Sequence, residues 1–561
     1  MIILGINYFF HDSSACIIKD GELLIALEEE RFSRQKHTHT FPERAIQKCL
    51  EVAGIRADEV DHVAVSIKPL KHALKKVLYG VKLGTKIAPF FQHEFTSPVL
   101  KQRRLKNWYK NFSSKKPPLH FVEHHVSHIA GSYYISPYDK AALLSLDGSG
   151  EWSTLFSGVA EGLEIKKFSE TMFPHSLGSF YEAATEFCGF RPNYDEGKTM
   201  GLAPMGNPDR FYAEVNKLVT IQADGQVRLD LSYFTFQNAG HRRCGDKFYK
   251  TFGQPRKQDH REPFEQHHLD VAAAFQRVLE DKVLQICTSL YEKTKADYIV
   301  LAGGVALNSV MNGRIVRETP FKDAYIMPAA GDNGTSIGAA YYVYHQVLGA
   351  TDRHHHSSPY VGNDYSNGQV ESILKESKLK YRKSDNVCKE AAALLRDGNI
   401  LGWYQGRMEI GPRALGNRSI LADPSLPGMK DKINAEVKHR EAYRPFAPSV
   451  LAEARLDFFK SEVEAPFMLK VCDVREDKKD VIPAITHVDG SARIQTVRQD
   501  TNPRYHELLS EFGQLSGVPV LLNTSFNVMG EPIVESPVDA LRCFFTTGLD
   551  VLVINDFIIS K

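Results

Sequence analysis

The sequence predicts an α/β protein of two modules, the first of them internally duplicated. Three observations predict it. Apolar runs joined by polar, Gly-bearing turns occur near the start and again near residue 145. Two later apolar strands each run through glycines into a helical stretch of small residues. A polar stretch at 351–369, "TDRHHHSSPYVGNDYSNGQ", then separates all of this from a second alternation of helix and strand. The expected modules are therefore 1–350 and 370–561, with 351–369 as linker, and 561 residues are enough for both.

The elements follow in order. "MIILGIN" is an apolar strand, and "ACIIKDGELLIALEEE" places Asp20-Gly21 between two apolar runs as a hairpin turn. A related pattern returns in "KAALLSLDGSGEWSTLFSGVAEG", where a strand ends at Asp147-Gly148 and a second strand follows the turn. "ADYIVLAGGVALNSVMNGRI" and "DAYIMPAAGDNGTSIGAAYYVYH" are the two strand-to-helix junctions. Their glycines allow either tight packing or close approach of backbone N–H groups to a ligand. The His354–His356 run of the linker reads as exposed and uninvolved. In the second module a helix carrying Ala391, Ala392, Leu394 and Leu395 precedes the strand "NILGWYQG". The strand "VPVLLNTSFN", the helix "SPVDALRCFF" and the strand "LDVLVIND" close the chain, with Ser536 as N-cap, Pro537 at N1 and Asp539 at N3.

Composition narrows the classes. The net charge is +1, with 43% hydrophobic and 24% charged residues, so no global charge draws the chain to nucleic acid. The eight cysteines are scattered without a CxxC pair, which argues against thiolate zinc sites and disulfide frameworks. The N-terminus lacks the pattern of a signal peptide, and no run of 18 uncharged apolar residues occurs. The expectation is a cytoplasmic protein with neither nucleic acid nor membrane as partner.

Three constellations carry chemistry. In "FVEHHVSHIAGSYY", His124 and His128 are one helical turn apart, so they either share one ion or are polar residues of an ordinary helix. With Asp147 and Asp332, both at Gly-flanked junctions, they make a mixed N/O set suited to Fe(II), Mn(II) or Zn(II). His125 points about 100° away on a helix and is left out. The second group is basic: Arg407, Arg413, Arg418, Arg440, Arg444 and Arg493 lie among Gly, Pro and apolar residues, a setting for a forked anion pocket or for ordinary surface solvation. Asn523, Thr524, Ser525 and Asn527 follow a strand and would bind a small polar ligand or simply form a turn. The third group, His11, Asp12, Lys36 and His39, offers phosphate contact or general acid/base work, with an Asx turn as the other account of Asp12.

The motifs "GINYFFHDSSA", "EEERFSRQKH", "VEHHVSH", "LSLDGSGEWST", "DEGKTMGLAP", "LAGGVALN", "GDNGTSIGAA", "GRMEIGPRALGNRSI", "YRPFAPSV" and "NTSFNVMGEPIV" run in this order across nearly the whole chain. Together they resemble the NodU/CmcH family of O-carbamoyltransferases. The resemblance implies an N-terminal ASKHA (actin-like ATPase type) domain, similar to the transferase that makes threonylcarbamoyl-adenosine in tRNA, followed by a YrdC-like domain. It implies that carbamoyl phosphate and ATP, the latter with Mg(II), give carbamoyl-adenylate in the second module. The carbamoyl group then passes to a hydroxyl of a small-molecule natural-product acceptor in the first, releasing AMP. The family metal is iron, and the match carries its ligation to His124, His128, Asp147 and Asp332. It carries nucleotide binding to Gly303, Gly304, Asn308 and Gly331, and carbamoyl phosphate or carbamoyl-adenylate binding to Arg413, Arg444, Arg493, Asn523 and Ser525. Catalytic roles fall on His11, Asp12 and Lys36. The alternative is a fused enzyme of tRNA threonylcarbamoyl-adenosine synthesis, against which the near-neutral charge and lack of basic–aromatic interleaving count. "KNWYKNFSSKKPP" and "FQNAGHRRCGDKFYKTFGQPRKQDHREPF" are candidate acceptor walls.

Overall fold

The computed structural model describes residues 1–69, 71–83, 97–238, 242–258 and 262–561. Parts of the second candidate acceptor wall, 239–241 and 259–261, lie outside the described residues. The chain divides into two compact units: Met1–Leu24 with His37–His356, and Ile25–Lys36 with Ser357–Lys561. Among the described residues no helix is long and apolar enough to cross a membrane.

The first unit is built on two five-stranded sheets. One contains β1 (Ile2–Asn7), β2 (Ser14–Lys19), β3 (Glu22–Glu28, counted with the second unit from Ile25 on), β4 (His62–Val65) and β5 (Leu119–Phe121), in the spatial order β3-β2-β1-β4-β5. The other contains β6 (Lys140–Leu146), β7 (Ser153–Glu161), β8 (Glu164–Met172), β9 (Tyr298–Ala302) and β10 (Asp323–Ile326), in the order β10-β9-β6-β7-β8. The two orders are one topology repeated, as an actin-like duplication requires. In each sheet the first strand pairs antiparallel with the second and parallel with the fourth. The repeat aligns differently from the turn pattern in the sequence. Asp147-Gly148 follows the first strand of its sheet, so its counterpart is the loop between Asn7 and Ser14, which contains Asp12. The counterpart of Asp20-Gly21 is the β7–β8 turn at Gly162. An Asp-Gly pair suits either kind of turn, so local chemistry could not tell them apart.

Two helices join the duplicated halves. His124–Ile135 follows β5 of the first sheet yet packs on β6 and β9 of the second. Thr335–Tyr342 follows β10 of the second sheet yet packs on β1, β2 and β4 of the first. The two helices also pack on each other, closely enough that a Cβ at Gly338 would stand 1.7 Å from the Ser127 carbonyl oxygen. The small residues of "GTSIGAA" permit that approach, which draws the start of one helix toward the start of the other. Arg353 fixes the far end of the histidine helix by donating to the carbonyls of Tyr133, Tyr134 and Ser136. The expected linker therefore begins as a structural strap, and His355 in it bonds the Ser136 carbonyl at 2.6 Å.

The second unit contains an eight-stranded sheet in the order Arg382–Lys383, Phe557–Ser560, Val551–Ile554, Leu401–Tyr404, Arg418–Ala422, Val520–Ser525, Ala447–Leu451 and Gln495–Val497. Both faces are covered, which explains its near-continuous apolar strands. Leu401, Trp403, Val551 and Val553 join one core with helices Val387–Arg396 and Pro503–Ser516. Tyr404, Leu552 and Ile554 join the other with helix Pro537–Phe545. That last helix starts as its sequence indicates, with Ser536 Oγ accepting from the Asp539 N–H and the Asp539 carboxylate accepting from the Ser536 N–H.

Candidate metal centre and anion pocket

Four buried donor atoms meet between the two crossing helices of the first unit. His124 Nε2 lies 3.0 Å from Asp147 Oδ2 and 3.5 Å from Asp332 Oδ1. His128 Nε2 lies 3.3 Å from the former, 3.4 Å from the latter and 3.0 Å from His124 Nε2. Donors bound to one ion at about 2.1 Å stand roughly 3.0–3.4 Å apart for bond angles between 90° and 109°. The observed spacings match that range. Asp332 Oδ1 is buried with no hydrogen-bond partner, its nearest donors being the two imidazoles at 3.4 and 3.5 Å, an environment that suits a cation ligand. The residues therefore fit a divalent ion.

Each ligand is held by its surroundings. Asp147 Oδ1 accepts the N–H groups of Gly148 and Gly304 at 2.8 and 3.2 Å, which turns Oδ2 toward the histidines. Glu151 accepts the His124 N–H and so caps the histidine helix from outside its own sequence. Asn7 donates to the Asp332 carbonyl at 2.9 Å and to those of His11 and Asp12. Burial opposes charge on His128, but its bonds to Asp147 and Asp332 outweigh burial and hold the imidazole up at about 9. Asp147 is pushed well below the carboxylate range against its burial by the two histidines. His125 is turned away, bonded to Ser145 Oγ and the Ser153 carbonyl, and burial pushes it down to about 3.

Beside this centre, Asp12 bridges two imidazoles. His37 Nδ1 lies 2.7 Å from Asp12 Oδ1, and His11 Nδ1 lies 3.0 Å from Oδ2. Asp12 and His37 both hold left-handed backbone, φ +51° and +54°, a strain that turns their side chains toward each other. His11 Nε2 points back to Asp332 at 4.0 Å. The sequence reading named His39 and did not consider His37; His39 is exposed, and left-handed His37, two residues earlier, makes the bond. Lys36, expected with Asp12, belongs to the second unit, where its charge is among those acting on Lys438.

The two Gly-rich junctions are joined, since the Gly303 N–H donates to the Ala330 carbonyl at 2.9 Å. Gly303 has φ +87° and leaves no room for a Cβ, which would sit 2.2 Å from the Leu146 carbonyl oxygen. Gly304 and Gly331 thus flank Asp147 and Asp332 with bare backbone. The Asn308 side chain is occupied differently from the expectation of nucleotide contact. Its Oδ1 accepts from Met311 N–H and Gln276, and its Nδ2 donates to Gln276, so it caps helix Ser309–Glu318.

In the second unit, Arg413, Lys438, Arg440, Arg444 and Arg493 act on one another. Burial and then Arg444 push Arg413 down to about 10, and burial and then Arg444 push Arg440 down to about 9. Arg493 is pushed down by burial and by Arg413, and Lys438 by burial and by Arg440. Arginine stays charged in proteins, so these directions reflect first the cost of burying the cations and then their mutual repulsion, both of which a bound anion would offset. The Nε atoms of Arg413 and Arg493 are buried without a hydrogen-bond partner. Glu441 stands 4.0 Å from Arg444. Sequence reasoning missed Lys438. A π-turn over Ile433–Lys438, ended by left-handed His439, brings Lys438 inward to donate to Ser525 and to Asn527 Oδ1 at 2.8 Å. Asn523 is placed otherwise than expected: it is 1% exposed, and its amide donates to Ser449 Oγ and Gln495 Oε1 beneath the Arg413 loop. Glu409 shapes the same loop by accepting the N–H of Leu415 at 2.6 Å. Arg418 is fully buried, 3.6 Å over the Tyr404 ring, and Arg407 bonds the Val361 and Gly362 carbonyls.

Residues 2–341 match the family model described as Carbamoyltransferase N-terminus, and residues 392–561 match Carbamoyltransferase C-terminus. The chain belongs to the carbamoyltransferase family. It is similar to an uncharacterized protein of Synechocystis sp., 41% identical over 100% of this chain and 96% of that one. It is also similar to nodulation protein NolNO of Sinorhizobium fredii, 37% identical over 99% of this chain and 80% of the relative. A 3'-hydroxymethylcephem-O-carbamoyltransferase of Amycolatopsis lactamdurans is 35% identical over 47% of this chain and 49% of its own length. The protein is thus a carbamoyltransferase enzyme.

Proposed function

We propose that this carbamoyltransferase is ATP-dependent and works in two steps, ending on a hydroxyl of a small-molecule acceptor. The second unit, read as YrdC-like, converts carbamoyl phosphate and ATP to carbamoyl-adenylate, with water consumed and phosphate and pyrophosphate released. The observation that carries this reading is the set of five cationic groups close enough to act on one another, with Lys438 held by Ser525 and Asn527 and the Nε atoms of Arg413 and Arg493 buried without a partner. Such a set favours a ligand with several negative charges, and the forked Arg413 and Arg493 donors suit phosphate and carbamoyl oxygens.

The first unit carries the transfer. His124, His128, Asp147 and Asp332 would hold the ion, with Fe(II) as the family metal. Gly303, Gly304 and Gly331, which lack side chains, would leave room beside it for the adenylate, the N–H groups of Gly303 and Gly304 being used within the protein. When bound, the ion would neutralise the two carboxylates and act as a Lewis acid toward a phosphate or carbonyl oxygen. The acceptor oxygen bonds to the carbamoyl carbon and the bond from that carbon to the AMP oxygen breaks. Against its burial, Asp332 and Asp12 hold His11 well above the usual imidazole range; with Asp332 and Asp147 committed to an ion, the ring would be neutral and its Nε2 would take the hydroxyl proton. Asp12 fixes the other ring nitrogen of His11, as a carboxylate does for a catalytic imidazole.

The test is ATP–pyrophosphate exchange. It is expected to depend on carbamoyl phosphate and to be absent with threonine plus bicarbonate. Exchange supported by threonine would favour threonylcarbamoyl-adenosine synthesis instead. Mass spectrometry of hydroxylated metabolites incubated with enzyme, ATP and carbamoyl phosphate would then find the acceptor.

A further inference from the structure

One stretch of the first unit stands apart in charge. Residues 68–118 contain thirteen Lys or Arg and a single Glu, a net +12 in a chain whose total is +1. Within it, helix Ala73–Lys82 is turned inside out. Leu74, Val77, Leu78 and Val81 have the i, i+3, i+4, i+7 spacing of a core-facing stripe, yet all four are exposed, Leu74 by 73% and Val81 by 64%. The face toward the protein carries Lys76, buried 5.9 Å from the Trp152 ring, and Tyr79, which donates to the Gln237 carbonyl. Exposed Lys75 and Lys82 flank the stripe. Helix Ser97–Phe112 adds exposed Val99 and Leu100 together with exposed Arg103, Lys106 and Lys110.

We propose that this element docks the enzyme on an anionic lipid surface. An outward aliphatic stripe bordered by lysines is the pattern of an interfacial helix, whose apolar face enters the headgroup boundary while its cations meet lipid phosphates. The expectation of no membrane partner rested on the lack of a spanning segment, which interfacial binding does not need. Nucleic acid is the other polyanion to weigh, since "KQRRLKNWYKNF", contrary to the reading of the sequence as a whole, does interleave basic and aromatic residues locally. Its aromatic groups are used within the protein. Trp108 packs 5.2 Å from Phe41 and 4.5 Å from Phe112, and the Tyr109 hydroxyl donates to the Pro117 carbonyl. What remains outward is aliphatic, which suits acyl chains and not base stacking.

The test is co-sedimentation of the full chain with phosphatidylcholine vesicles, with and without phosphatidylglycerol. Binding is expected only with phosphatidylglycerol, and it should weaken as salt is raised. The double variant Leu74→Asp, Leu78→Asp should cut partitioning by about tenfold or more. Its circular dichroism and ATP–pyrophosphate exchange should stay unchanged, since neither leucine belongs to a site. Replacing Lys75 by Glu should cost about fivefold or more, the effect of a basic residue near such a surface. The proposal is overturned by equal binding to phosphatidylcholine alone, by no binding to either vesicle, or by undiminished binding of the double variant. It is also overturned if an RNA oligonucleotide displaces the protein from the vesicles and binds the double variant as well as the parent chain.

Discussion

Replacing Gly338 by alanine would place a methyl carbon 1.7 Å from the Ser127 carbonyl oxygen, where ordinary contact begins at 3.4 Å. The helices Thr335–Tyr342 and His124–Ile135 would have to separate by about 1.7 Å, because backbone on both sides leaves no side chain to yield. Ser127 lies between His124 and His128, so the shift carries both imidazoles away from Asp332. Their present distances to Asp332 Oδ1, 3.5 and 3.4 Å, would grow to roughly 5 Å. Two donors at about 2.1 Å from one ion cannot be farther apart than about 4.2 Å. Gly338→Ala should therefore lose bound metal although no ligand is altered, and lose about 1–3 kcal/mol of stability to overpacking. Metal content by elemental analysis, thermal unfolding, and exchange activity as a report on the second unit make up the assay. Full metal occupancy with unchanged affinity in Gly338→Ala would refute the account of how the centre is assembled.

Other expectations follow from the same geometry. His128→Ala should abolish metal retention and cost the ion-free protein about 3–5 kcal/mol by stranding two buried carboxylates. His125→Ala should keep the metal and lose about 2–4 kcal/mol in bonds and packing, and equal metal loss in both would overturn the ligand assignment. Lys438→Met and Arg413→Ala should each abolish carbamoyl phosphate-dependent exchange while leaving metal content intact, read by exchange and elemental analysis on one preparation. In ion-free protein the raised value of His128, about 9 against 6.5, stabilises the fold fully below about pH 6.5. That contribution is lost as pH rises through 9. A metal-loaded sample has exchanged that proton for the ion, so melting temperature against pH should differ between loaded and chelated protein across this window.

The candidate metal site was legible because its signals, an i, i+4 histidine pair on a helix and two acids beside glycines, are local and fall within the ordered motifs that resemble the family, the pair alone leaving an ordinary helix open. The last helix was legible for the same reason, its cap and box lying within four residues. What sequence reading misplaced depended on distant partners or on backbone turns. Asn308 and Asn523 look alike as ligand amides, but Gln276, remote in sequence, takes the Asn308 amide, whereas Ser449 and Gln495 take only the Asn523 NH2 and leave its Oδ1 buried without a partner. Lys438 was passed over because a regular helical turn would not predict the π-turn that buries it. His37 was passed over because nothing in "KHTHT" marks which histidine takes left-handed backbone. The duplication was visible, but its alignment depended on strand order, which turn residues do not encode.

The placement of Ile25–Lys36 with the second unit bears on how such proteins exchange parts. A fragment beginning at Ser357 lacks Arg31, whose guanidinium bonds Glu28 at 2.6 Å and the Gly411 carbonyl at 2.7 Å. It also lacks Arg34, which bonds the Pro532 and Ile533 carbonyls. A chimaera between relatives that crosses over once, at residue 356, would therefore inherit twelve residues of one parent inside the other parent's second unit. Lys36 travels with that insert. Recombination among these enzymes is expected to succeed as a double crossover that moves 25–36 together with 357–561, and lineages that traded only the C-terminal half would carry compensating changes around Gly411 and Ile533.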